Sequence, residues 1–95
     1  MTNKELQKRK NNIIARGQGN LLPIFIKKGV NSELWDEEDN RYIDFGAGIA
    51  VANTGHSNPK IVEAVKEQVT NFSHTCVMVT PYKNSIELAE KIVKK

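Results

Sequence analysis

The sequence predicts an α+β fold, a small antiparallel sheet of about three strands with flanking helices. Two observations carry this. Between Ile24 and Phe45, three short runs rich in β-branched and aromatic residues are separated by turn-forming clusters. Beyond Asn58, apolar residues recur at helical spacing, first at Ile61, Val62, Val65, Val69 and Phe72, then at Ile86, Leu88, Ala89, Ile92 and Val93. A chain of 95 residues, 39% of them apolar, holds one domain at most and buries a limited share of its surface.

Taken in order, residues Asn3 to Ala15 have helical propensity but only Leu6, Ile13 and Ile14 as apolar members. So narrow a stripe cannot anchor a helix, which therefore needs another surface to lie on. Gly17 and Gly19 end it, and Pro23 biases the residue before it toward extended backbone. Strands are expected at Ile24 to Lys28, Glu33 to Asp36 and Arg41 to Phe45, with turns at Gly29 to Ser32 and Glu37 to Asn40, giving an antiparallel meander. In the third strand Tyr42 and Asp44 should face one side and Ile43 and Phe45 the other, with Trp35 capping the apolar face.

Residues Gly46 to Ala52 break that pattern, because small side chains and two glycines let the backbone pass close to something else. Asn53 to His56 then turn the chain. Asn58 is suited to cap a helix that has Pro59 at its first position. After an extended Ser73 to Thr80, a last helix opens at Pro81 or at Asn84 and Ser85. This helix is expected to run to Lys95 with no Gly or Asn after its last periodic residue, which predicts a truncated piece of a longer protein.

Fourteen Lys and Arg against eleven Asp and Glu give a net charge of +3, distributed in mixed-sign groups. The one cationic run, Lys8, Arg9 and Lys10, has no interleaved aromatic residues, so it reads as a solvated helix face and no nucleic-acid partner is expected. Cys76 is the single cysteine, which excludes an intramolecular disulfide and a multi-cysteine zinc site. No apolar leader and no run of about 18 apolar residues is present. The expectation is a cytoplasmic protein without a membrane partner.

Three motifs invite chemistry. Gly46, Ala47 and Gly48 are not a dinucleotide fingerprint, because position 51 is Val and no helix is expected there; Gly17 and Gly19 fail for the same reason. His56 could act as an acid or base, yet no carboxylate stands near it in sequence to complete a constellation, so a turn and helix-entry role is favoured. His74 and Cys76 are too few for a metal site, and a buried structural cysteine is the commoner case. No metal site and no catalytic residue are expected in this chain.

Read together, Trp35 and Asp36, Tyr42 to Phe45, Gly48 to Val51, Asn53 to His56, Pro59 and Ser73 to Cys76 resemble the opening of the class III aminotransferases, over Asn3 to Lys95 in order and spacing. The resemblance implies that residues 1–95 are the amino-terminal segment of a fold-type I enzyme that uses pyridoxal 5'-phosphate, in the manner of 4-aminobutyrate aminotransferases. It implies a homodimer, and transfer of an amino group from an omega-amino acid to 2-oxoglutarate with the cofactor as electron sink. The lysine that binds the cofactor would lie beyond Lys95, since Lys27, Lys28, Lys60 and Lys66 sit in charged contexts that keep a lysine protonated.

Within that resemblance Ile49 falls where the family places a side chain against the substrate's carbon chain, and an apolar residue there suits a linear omega-amino acid. Met78 falls near the cofactor, where related 4-aminobutyrate enzymes carry Gln, so a polar contact is lost and the exact amino donor is open. The segment would then contribute a pocket wall and dimer surface, completed by the remainder of the chain and a second subunit. The alternative is a non-catalytic binding or structural module, or a gene relic, that associates through its sheet edge and exposed helix stripes.

Overall fold

In a computed structural model that describes residues 1–94, the chain falls into two units, Met1–Val62 and Glu63 onward. The first unit begins with α1, Asn3–Ile13. Its start is fixed by a reciprocal capping box: the Thr2 hydroxyl accepts the Glu5 N–H, and the Glu5 carboxylate accepts the Thr2 N–H at 2.7 Å. The Thr2 donors hold the Glu5 carboxyl below its usual range. Lys8 and Arg9 are exposed, as a solvated face requires, while Lys10 turns back to donate to the Gln18 carbonyl.

The sheet is a three-stranded antiparallel meander in the order β1 (Ile26–Val30), β2 (Glu33–Asp36), β3 (Arg41–Ile43). β1 is shifted two residues along from the expected Ile24 to Lys28. The backbone at Phe25 is engaged elsewhere, its N–H donating to Asn3 Oδ1 and its carbonyl accepting from Glu37. The strand therefore runs through Gly29 and Val30, and the hairpin turns on Asn31 and Ser32, with Asn31 at φ 53°. A bulge at Lys27 swings its ammonium onto Asp39 at 2.7 Å.

Register puts Glu33, Trp35, Arg41 and Ile43 on one face and Leu34, Asp36 and Tyr42 on the other. The first face carries the Glu33–Arg41 ion pair and the Lys28 ammonium 5.0 Å from the centre of the Trp35 ring. The expected covering of Ile43 and Phe45 fails: Ile43 is half exposed, Phe45 is 95% exposed, and Trp35 is only partly covered. It is the opposite, more polar face that the chain covers, because Asn3 and His56 are both brought to it.

Asp36 is the centre of that face and is fully inaccessible to solvent. Oδ1 accepts the N–H groups of Glu38 and Asn40, and Oδ2 accepts Asn3 Nδ2, Asn40 Nδ2 and the Tyr42 hydroxyl, at 2.9 to 3.1 Å. Burial alone would raise the carboxyl, but the donors from Asn40, Asn3 and Tyr42 outweigh it and hold Asp36 far below the usual carboxylate range. The same bond raises the Tyr42 phenol. Through Asn3 the carboxylate ties the start of α1 to the sheet by a hydrogen bond, while Ile13 and Ile14 of its weak apolar stripe stay exposed.

α2, Ala47–Ala50, is a single turn where no helix was expected. α3, Pro59–Asn71, starts as predicted: Asn58 Oδ1 accepts the Lys60 N–H at 3.0 Å, and Pro59 occupies the first position. In the second unit Phe72 packs edge-on against Tyr82, with ring centres 5.4 Å apart. Between them the expected extended stretch is instead a tight turn, Cys76 to Thr80, closed by Thr75 and Thr80 exchanging hydroxyl-to-carbonyl bonds at 2.9 Å. α4, Lys83–Val93, opens between the two predicted starts, from an extended Tyr82. It ends at Val93 with Lys94 as its C-cap, the Lys94 N–H donating to the Glu90 carbonyl, short of the expected Lys95, which lies outside the described residues.

Among the described residues no apolar side chain is buried; Asn3 and Asp36 alone are. Order in this segment comes largely from hydrogen bonds, and Ile61, Val65, Val69, Ile86, Leu88, Ile92 and Val93 of the α3 and α4 stripes are exposed. No described helix is long and apolar enough to cross a membrane.

Asp36 gives the segment a pH dependence of definite sign. A carboxyl whose folded pKa is depressed contributes stability above its ordinary value of 3.8, lost as pH falls through that value toward the folded one. Trp35 fluorescence followed on acidification should stay flat to about pH 5 and then report loosening of the sheet, with the main loss below about pH 4. Asp36→Asn should remove that slope and weaken the fold at all pH, because its amide would face the Asn3, Asn40 and Tyr42 donors. An unchanged acid profile in Asp36→Asn contradicts this account.

Candidate functional site

Of the residues singled out for chemistry, His56 and the stretch from Gly46 to Ile49 lie around the end of β3, through Asp44. Asp44 follows that strand with its N–H on the Ser32 carbonyl at 2.8 Å, and its side chain then takes over the next amides. Oδ1 accepts the N–H groups of Gly46 at 3.0 Å and Ala47 at 2.9 Å, while Oδ2 lies 2.6 Å from His56 Nε2. His56 thus has the carboxylate partner that its sequence neighbourhood lacks, supplied twelve residues upstream by the fold. The imidazole first, and the Ala47 amide second, hold the Asp44 carboxyl below its usual range.

His56 is fixed from both sides. Its backbone exchanges a pair of hydrogen bonds with Asn31, at 2.8 and 2.9 Å, and its ring lies against the backbone of Gly29. A Cβ on Gly29 would stand 2.8 Å from His56 Cγ, so that position in β1 must be glycine for the imidazole to sit there. Gly55 is constrained in the same way, at φ 81° with Asn31 Oδ1 2.7 Å from where its Cβ would be. The Ser57 hydroxyl donates to the Gly29 carbonyl at 2.8 Å and so does not approach the imidazole as a nucleophile would.

Ile49 stands on the turn that Asp44 holds. Ala47, Gly48, Ile49 and Ala50 all have positive φ, from 50° to 63°, so α2 is left-handed. Three of the four are not glycine, and each costs roughly 1–3 kcal/mol in such a conformation. A β-branched residue is the least suited of all. The turn displays Ile49 at 94% exposure and the neighbouring Val51 also exposed. A surface groove along α1, lined by Asn3, Gln7, Asn11, Pro23 and Glu38, includes neither Ile49 nor Met78.

Met78 belongs to the second unit, at the tip of the Cys76 to Thr80 turn and 89% exposed. Cys76 in that turn is exposed, with φ 56°, correcting the expectation of a buried structural thiol. His74 is exposed as well.

Against known proteins, residues 13–95 match the family described as aminotransferase class-III. The 5-aminovalerate aminotransferase of Pseudomonas aeruginosa is 48% identical over 99% of this chain, and the 4-aminobutyrate aminotransferase of Escherichia coli is 46% identical over 99%. Among solved structures, the adenosylmethionine-8-amino-7-oxononanoate aminotransferase of Methanocaldococcus jannaschii superposes with a TM-score of 0.81 at 27% identity, over 98% of this chain and 23% of that one. The acetylornithine aminotransferase of Elizabethkingia anophelis gives 0.74 at 31% identity, over 79% and 19%. The chain belongs to the class-III aminotransferases and corresponds to an amino-terminal segment of them. It spans 22% of the length of the two curated relatives.

Enzymes of this family depend on pyridoxal phosphate. A site for it needs a lysine that can be held neutral in an apolar surround and a cradle of backbone donors for the phosphate. Among the described residues every lysine except Lys10 is exposed, and Lys10 is committed to the Gln18 carbonyl. Lys27, paired with Asp39, is raised above the usual lysine value, the opposite of activation. The described residues do not by themselves make the cofactor's site.

Gly29→Ala should destabilise the first unit by about 1–3 kcal/mol through overpacking against His56. Denaturant unfolding of the first unit, compared with an Ala substitution at the open position Gly19, checks it. Equal effects at the two sites would show that His56 does not press on β1.

Proposed function

We propose that this chain is the amino-terminal part of an omega-amino acid: 2-oxoglutarate aminotransferase, to which it contributes a wall of the substrate pocket and dimer surface. The observation that carries the reading is Ile49, an apolar, β-branched side chain held out to solvent on a strained left-handed turn. Strain of that kind persists where the surroundings over-determine a conformation, and it collects at ligand sites. An apolar wall suits the methylene chain of 4-aminobutyrate or 5-aminovalerate, the substrates named for the similar enzymes of Escherichia coli and Pseudomonas aeruginosa.

In this reading the remainder of the aminotransferase chain and a second subunit cover the exposed stripes of α3 and α4, and Met78 lies toward the cofactor. The pyridoxal phosphate of the assembled enzyme supplies the electron sink. This segment's share is binding and orientation, with Ile49 packing on the carbon chain. A free-standing binding module is disfavoured because such a module needs a core of its own, and no described apolar side chain is buried.

The test uses the cofactor-loaded enzyme that contains this segment, assayed with 2-oxoglutarate against 4-aminobutyrate, 5-aminovalerate and ornithine. The omega-amino acids should be the better donors, and Ile49→Ser should lower their kcat/KM by about 10- to 200-fold, the effect of losing apolar contact in a hydrophobic pocket. No transamination of either omega-amino acid, or an Ile49→Ser enzyme with wild-type selectivity, sinks the reading.

A further inference from the structure

We propose that Asp44 and His56 are positioning residues that hold the Ile49 turn in its left-handed form, and that the selectivity of the assembled enzyme for amino donors depends on this clamp. The inference rests on the pocket-wall reading of Ile49 and adds what sets that wall in place.

With Ala47, Gly48, Ile49 and Ala50 all at positive φ, the turn is opposed by the intrinsic preference of three of its four residues. Its own backbone bonds, Ile49 N–H to the Gly46 carbonyl at 2.8 Å and Val51 N–H to the Ala47 carbonyl at 2.8 Å, close it but do not select its hand. An external constraint must. Asp44 supplies one at the entry, its Oδ1 bridging the amides of Gly46 and Ala47 and so fixing the backbone direction where the left-handed run begins.

A carboxylate selects a backbone direction only if it is itself immobile. The other oxygen is held by His56 Nε2 at 2.6 Å, with the imidazole donating to the carboxylate. His56 is immobile in turn: its backbone is paired with Asn31, its ring lies against Gly29, and Ser57 beside it bonds the Gly29 carbonyl. A continuous chain of contacts therefore runs from the β1–β2 hairpin through His56 and Asp44 to the turn that displays Ile49. Both Asp44 and His56 are largely covered, with side-chain exposures of 10% and 26%, so water competes poorly for these bonds.

The experiment uses the full-length, cofactor-loaded enzyme and two readouts, amide hydrogen exchange across residues 45–52 and the ratio of kcat/KM for 4-aminobutyrate to that for ornithine. Asp44→Ala and His56→Ala should raise exchange across the turn and lower the ratio, each on the order of tenfold, as expected for losing a hydrogen bond to a charged group. Asp44→Asn keeps an acceptor for the Gly46 and Ala47 amides, and His56→Gln keeps a donor toward Asp44. Both should restore the two readouts, which a general loss of folding would not allow.

Wild-type exchange in Asp44→Ala overturns the clamp. Raised exchange with an unchanged kcat/KM ratio overturns its role in selectivity. If the wild-type enzyme transaminates no omega-amino acid, the substrate reading fails by itself, and exchange then decides the clamp alone: a rise reversed by Asp44→Asn supports it, and no rise overturns it.

Discussion

The Asp36 carboxylate organises the first unit because its donors come from separated parts of the sequence. Asn40 and Tyr42 reach it from the next turn and strand, Glu38 from the intervening loop, and Asn3 from the start of α1. A buried carboxylate without such donors would be protonated or excluded from the interior. With all of them in place the charge is retained, and each donor is held in turn by the charge. Neutral apolar contacts could not impose the same geometry, since dispersion and burial have little directional preference.

That constraint leads to the second cluster. With α1 tied to the sheet through Asn3, β1 is displaced along the chain, and Gly29 falls within the strand opposite Leu34 instead of in the turn. A glycine there leaves an opening on the covered face, and the imidazole of His56 fills it. The two-residue shift in β1 therefore has consequences well beyond the hairpin. Without it the Asn31 backbone could not pair with His56, and Asp44 would have no imidazole to hold it against the turn that carries Ile49.

Much of this architecture was readable from residue types. The three strands and their antiparallel order follow from β-branched runs and turn clusters, and the start of α3 follows from Asn58 and Pro59. The capping box was equally available, since Thr2 and Glu5 stand three apart before a helical stretch. Asp44 two and three residues before the amides it accepts is likewise an Asx-type signal. Placing it on a strand face hid that role, because a strand treats every side chain as a facing group and none as a cap.

The rest was not legible because it depends on long-range pairing. Nothing near Asp36 in sequence announces Asn3, and nothing near His56 announces Asp44 or Gly29; sheet register decides both. The expected apolar face failed for a related reason. The strand expected over Arg41 to Phe45 stops at Ile43, and alternation cannot say which side this segment covers with its own residues. Here the segment covers the polar side, through Asn3 and His56, and leaves Ile43, Phe45 and Ile49 outward. Among the described residues the buried ones are an Asp and an Asn, so polar directionality does the ordering and the apolar residues are left on the outside.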